Sequence, residues 1–250
     1  MKRYVFDYHT VVGFNQPVTG HSLLLRCQPV VGSYMDVEEE HVVLPPGFAM
    51  CRGTDAFGNR ILFGGNREQH HALVYVCTGI VSMRPYAVPD DHMPLAVFLQ
   101  PTPLTALPPE MPETILPGND ATAICQYVHD TLQYAPMSTD IDTPVAHVLA
   151  SRKGVCQDFA HLMVALCRAR GIAARYVCGF MEGEGETHAW VEVFNGYAWE
   201  GYDPTHNRKI EYGYVKIAHG RDAADCSVSR GRYSGKALQQ TVVNVMLKEV

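Results

Sequence analysis

Thr187-His188-Ala189-Trp190-Val191-Glu192-Val193-Phe194-Asn195-Gly196-Tyr197-Ala198-Trp199-Glu200-Gly201-Tyr202-Asp203-Pro204 is two runs of β-branched and aromatic residues around Asn-Gly, the strongest short-range hairpin signal. A two-residue turn at Asn195-Gly196 sets Phe194 opposite Tyr197. Counted outward from that pair, His188 stands directly opposite Asp203 on one face of the ladder, with Cβ atoms about 4.5–5.5 Å apart. Trp190 then falls opposite Gly201, whose missing side chain leaves room for an indole. Pro204 ends the second strand, because it has no N–H to give to a ladder.

A second stretch supplies a different element. In Cys156-Gln157-Asp158-Phe159-Ala160-His161-Leu162-Met163, followed by Leu166 and Cys167, apolar residues recur with the 3.6 period of a buried helix. Arg168 and Arg170 fill its last turn and Gly171 supplies a stop. A thiol in the first turn meets unpaired N–H groups and the positive end of the helix dipole, which favour thiolate and can hold an oxyanion. The charge of Asp158 opposes this, so a nearby imidazole is needed to make a reactive pair. Cys156, His188 and Asp203 are the thiol, base and carboxylate of a nucleophilic triad, provided that the fold brings them together.

The other cysteines carry a plainer reading. Cys27, Cys51, Cys77, Cys125, Cys178 and Cys226 read as small buried hydrophobes, and Cys167 lies too far along the helix axis from Cys156 to pair with it. Metal chemistry is not expected despite twelve His and eight Cys: there is no His-Glu-x-x-His and no Cys-x-x-Cys, and the side chains of His70-His71 would point to opposite faces of a strand. No cofactor is expected. Gly183-Glu184-Gly185-Glu186 lacks the Lys of a phosphate loop and reads as an acidic turn before the His188 strand.

With these residues in place the chain resembles a known family. Gly154-Val155-Cys156-Gln157-Asp158-Phe159-Ala160-His161-Leu162, Arg168-Ala169-Arg170-Gly171-Ile172-Ala173-Ala174-Arg175-Tyr176-Val177, His188-Ala189-Trp190-Val191-Glu192-Val193 and Tyr202-Asp203-Pro204-Thr205 resemble the bacterial transglutaminase-like cysteine protease family in residue type, order and spacing. The resemblance implies an α+β fold with a papain/transglutaminase-like core, in which the Cys-bearing helix packs on an antiparallel sheet bearing His and Asp. It implies Cys156 as nucleophile, His188 as base and Asp203 as its orienting partner.

The rest of the chain frames that core. Residues 1–90 alternate β runs with Gly- and Asn-containing turns and read as an N-terminal antiparallel β domain. Residues 91–117 form a Pro-rich linker in a region, Pro89 to Pro117, holding eight of the sixteen prolines, expected to run extended over the surface. Residues 118–215 make the catalytic core, with one helix capped near Asn119 or Asp120 and another with Thr143 as cap and Pro144 first. Residues 216–250 supply closing strands. With 250 residues and 47% hydrophobic content the chain can bury a large core.

A net charge of -6 and scattered basic residues exclude a nucleic-acid stripe, and no stretch reaches transmembrane length. Unpaired thiols and the lack of an apolar leader point to the cytoplasm. The expected partner is a peptide or protein amide, with a homo-oligomer equally open. The expected chemistry is acyl transfer by a Cys-His-Asp triad, mainly hydrolytic as in a cysteine protease or amidase, with transamidation as a variant. Gln157, Trp190 and Trp199 are candidates for the substrate groove. The alternative is a catalytically silent binding module on the same fold.

Overall fold

The computed structural model describes residues 1–89, 93–109, 118 and 120–250. The N-terminal half is β structure: β1 (Lys2–Leu25), β2 (Met35–Val43), β3 (Ala49–Thr54), β4 (Arg60–Asn66), β5 (His70–Met83) and the short β6 (Val88–Pro89). The middle holds α1 (Ala121–Thr131), β7 (Gln133–Tyr134), α2 (Val145–Ser151), β8 (Lys153–Gly154) and α3 (Cys156–Ala169). Then come β9 (Ala174–Met181), β10 (Gly183–Gly185), β11 (His188–Phe194), β12 (Ala198–Asp203), β13 (Arg208–Lys209), β14 (Tyr214–Gly220), β15 (Ser229–Ser234) and β16 (Gln239–Glu249). Among the described residues no helix is long and apolar enough to cross a membrane.

β1 organises the N-terminal layer. Tyr4, Phe6, Tyr8, Thr10, Val12 and Phe14 are buried in strict alternation, the period-2 signature of a strand with one covered face. Its first half pairs with β5 on one side and β16 on the other; beyond an irregularity between Gly13 and Val18 its second half pairs with β4 and β15. The last strand of the chain therefore closes against the first.

A second sheet runs β13-β12-β11-β9-β14, with β6 added to β12. It is the middle of three layers. One face packs Ala174, Tyr176, Ala189, Val191 and Val193 against α1, α2 and α3. The other packs Val177, Trp190, Val215 and Ile217 against the N-terminal strands. Because β14 belongs to this middle sheet, a boundary at residue 215 falls inside a strand, and of the strands after it β15 and β16 join the N-terminal layer.

Several local expectations need correction. Residues 95–98 form a 3₁₀ turn within the Pro-rich segment, and Phe98 is fully buried, so the described part of that segment is anchored rather than merely extended. Residues 110–117 and 119 lie outside the described set, but Asp120 caps α1 by accepting from Ala123 N at 3.1 Å. The cap of α2 is Pro144 itself: the Thr143 hydroxyl turns back to donate to Asp140 Oδ1 at 2.8 Å. Cys51 is exposed on β3, whereas the other five cysteines expected to be buried are buried.

Candidate active site

The hairpin forms, but its turn sits one residue later than expected. Asn195 N donates to Ala198 O at 3.0 Å, leaving Gly196-Tyr197 as the two-residue loop. Asn195 Oδ1 accepts from Tyr197 N and Ala198 N, both at 2.9 Å, so the side chain captures the amides that a central Asn would have left free. Gly196 takes the first central position with φ 99°. A turn displaced by one residue moves the pairing by two: Phe194 faces Trp199 and Glu192 faces Gly201. His188 is thus not directly opposite Asp203. A shift of two nevertheless keeps every side chain on its face, and the two reach each other diagonally, His188 Nε2 lying 2.9 Å from Asp203 Oδ2.

The shift also relocates the glycine that makes room for Trp190. A Cβ on Gly201 would meet Ile210 and Tyr86, each at 3.1 Å, whereas one on Gly179 would lie 2.6 Å from the Trp190 ring. The indole therefore sits over β9, stacked near the His188 ring at 24° with centroids 6.5 Å apart. Its Nε1 donates to Tyr86 Oη at 2.9 Å.

Asp203 is fully buried and richly held. Oδ2 accepts from His188, from His206 Nδ1 at 2.7 Å and from the Tyr214 hydroxyl at 2.6 Å; Oδ1 accepts from Thr205 N at 2.9 Å and His206 N at 3.2 Å. Burial opposes its charge, yet the hydrogen bonds from His188, His206 and Tyr214 win and hold it well below the usual carboxylate range. His188 answers in kind. Burial again opposes the charged ring, but hydrogen bonds to Asp203 and to Cys156, followed by their charges, push its pKa up to about 9.

Cys156 begins α3 and is partly exposed. The helix start is fixed by Asp158, whose Oδ2 accepts from Val155 N at 2.7 Å and from Thr139 Oγ1 at 2.6 Å. Gly154 permits this, because a Cβ there would lie 2.6 Å from Asp158 Cβ. The first-turn N–H of Cys156 has no acceptor within the helix and is one donor for an oxyanion.

The thiol and the imidazole line a cleft of about 670 Å³, together with Tyr134, Met137 and His206, while Asp203 lies buried behind His188. The segment expected to be a plain acidic turn contributes β10, which pairs with β16, and Glu182, Glu184 and Glu186 all line the cleft. No Lys or Arg does so among the described residues.

The three groove candidates lie elsewhere. Trp190 and Trp199 are fully buried, the latter packed on Phe98 with the Arg175 guanidinium 4.2 Å from its ring centroid. Gln157 Nε2 donates to Ile141 O at 3.3 Å, and the residue does not line the cleft. Large aromatic rings on a hairpin face were covered by a layer that local sequence does not reveal.

Sequence reading passed over His206 and Tyr214. His206 could have been found as the residue closing the turn that Asp203 Oδ1 holds; Tyr214 carries no local signal. His188, Asp203 and His206 bring ligand atoms within 4.8 Å of one another. Within that set His188 Nε2 and His206 Nδ1 are both hydrogen-bonded to Asp203 Oδ2.

A helix-borne thiol meeting a strand-borne His and Asp defines a papain/transglutaminase-like α+β fold. Comparison makes the likeness particular: residues 109–204 match the family model described as the transglutaminase-like superfamily. The fold is shared over 100% of the chain with 91% of a crystal structure described as a putative cysteine protease from Cytophaga hutchinsonii, at a TM-score of 0.77 and 22% identity. An uncharacterized protein of Mycobacterium leprae is 34% identical over 130 residues, 48% of this chain and 46% of its own length. A protein-glutamine gamma-glutamyltransferase of Pseudomonas aeruginosa is 30% identical over 135 residues, 46% of this chain and 20% of its own. The matches thus span less than half of either relative.

Proposed function

We propose that this chain is a thiol-dependent acyl-transfer enzyme acting on carboxamide or peptide bonds, with Cys156 as nucleophile, His188 as acid and base and Asp203 as orienting carboxylate. The observation that carries the proposal is that Cys156 and His188 line one cleft, with His188 held from behind by its 2.9 Å hydrogen bond to Asp203. Nε2 of His188 is committed to Asp203, which leaves Nδ1 to take the thiol proton and later to donate it to the departing amine. The thioester so formed is released to water in hydrolysis, the principal outcome, or to an amine in transamidation.

The three carboxylates on the wall favour peptides or proteins with cationic residues near the reacting carbonyl. Eight cysteines without a disulfide suit a reducing compartment, and we place the protein in the cytoplasm on that ground. Alkylation by iodoacetamide tests the nucleophile, with the exposed Cys51 as reference within the same molecule. Cys156 is expected to react at least 10-fold faster than Cys51 at pH 7, and His188→Ala to remove that advantage. Equal rates at the two cysteines, unchanged by the His188 substitution, would sink the assignment. Profiling amide and peptide substrates beside Cys156→Ala then identifies the substrate.

A further inference from the structure

Asp203 serves two imidazoles, and the mechanism above uses only one. His188 Nε2 at 2.9 Å and His206 Nδ1 at 2.7 Å share the same oxygen, Oδ2. An ionised carboxylate only accepts, so each of these nitrogens carries a proton and, in a neutral ring, the opposite nitrogen is the basic one. In His188 that nitrogen is Nδ1, the one left for Cys156, which lines the same cleft. In His206 it is Nε2, which has no hydrogen-bonding partner in the protein among the described residues.

The two rings differ in access. The His188 side chain is 9% exposed and the His206 side chain 43%, although both line the cleft and their ring centroids lie 5.4 Å apart. Both rings thus face one cleft, the inner one shielded from solvent and the outer one open to it. Five hydrogen bonds on Asp203 fix the carboxylate that orients both rings.

We propose that His206 is a second general base, assigned to the acyl acceptor, so that acylation runs through His188 and release of the acyl group runs through His206. The inference rests on the acyl-transfer reading of Cys156. In the thioester, an entering water gives one proton to His206 Nε2 as its oxygen bonds to the acyl carbon. The tetrahedral intermediate collapses with cleavage of the carbon–sulfur bond, which returns the electron pair to Cys156 as thiolate and frees the carboxylic acid. The acid ionises; of its proton and that on His206, one restores His188 and the other passes to solvent.

His206→Asn separates a base from a brace, because the Asn amide N–H can replace the Nδ1 donor to Asp203 while nothing replaces Nε2. The probe is p-nitrophenyl acetate. Acylation is read from p-nitrophenolate release, and deacylation from decay of the acetylated protein by intact mass after the ester is removed. The expected result is acylation within about threefold of the native rate and deacylation slowed about 10²-fold, with added imidazole restoring part of the loss. Tyr214→Phe, which removes another donor to Asp203 and no base, is expected to slow the two steps alike. Unchanged deacylation in His206→Asn, or equal loss in both steps, overturns the second base and leaves the nucleophile standing. Absence of an acetyl adduct on native Cys156 overturns the acyl-transfer reading and the second base with it.

Discussion

In the proposed mechanism His188 carries two opposing demands: it must be cationic to donate to a leaving amine, yet it is nearly buried. Burial disfavours the cation, and the hydrogen bonds from the ring to Asp203 and Cys156 reverse that preference, bringing the pKa to about 9 from an ordinary 6.5. Acylation of amide substrates is therefore expected to hold its rate below pH 9 and to fall as pH rises through that value. Asp203→Asn removes the charge that raises the ring's pKa, so the basic limb should move down by about one pH unit or more, with kcat reduced roughly 10³-fold. A limb that stays near 9 in Asp203→Asn would show that another group controls it. Residue types were enough to single out Cys156, His188 and Asp203 as candidates, because thiol, imidazole and carboxylate stand at ordered positions. They did not reveal Tyr214, which comes from β14, three strands from β12 in the same sheet with β11 and β9 between them, and still reaches Asp203.

At the scale of the element, the hairpin shows which part of a local reading survives error. The loop was displaced by one residue because the Asn195 side chain bonds the following amides. The ladder moved by two and the faces stayed the same, so the His188–Asp203 contact survived while the partner of Gly201 did not. A displacement by an odd number of register positions would have sent Asp203 to the helix face. The glycine that matters for the site is Gly179, invisible to hairpin counting because it lies on β9. A Cβ there would meet Val215 O at 2.1 Å as well as the Trp190 ring. Gly179→Ala is expected to destabilise the fold by at least about 1–3 kcal/mol in urea unfolding and to lower turnover by disturbing the ring beneath His188. Native stability in that variant would mean that β9 and β14 separate freely, contrary to the packed middle sheet.

Across the whole molecule, the site depends on how the N-terminal layer meets the middle sheet, which local sequence patterns leave undetermined because no short-range signal records which strand faces cover each other. Glu192, read only as one residue of a strand, is the buried hub of that contact. Its carboxylate accepts from Arg175 Nε at 2.5 Å, from Lys216 Nζ at 2.8 and 2.9 Å and from the Tyr86 hydroxyl at 2.6 Å. Tyr86, from just beyond β5, in turn receives Trp190 Nε1 and so joins the hub to the ring under His188. Burial opposes the Glu192 charge, but Arg175 and Lys216 outweigh it and take its pKa down to about 2 from 4.5. A depressed carboxylate contributes stability that is present above its unfolded value and lost as pH falls through the folded one, here between about 4.5 and 2. Glu192→Gln removes the buried charge to which Arg175 and Lys216 both donate and is expected to cost about 3–5 kcal/mol in urea unfolding at pH 7, with the loss shrinking as the native protein is acidified through that window. If the native and Glu192→Gln proteins instead lose stability in parallel from pH 4.5 downward, the acid sensitivity belongs to other carboxylates and the hub does not hold the layers together.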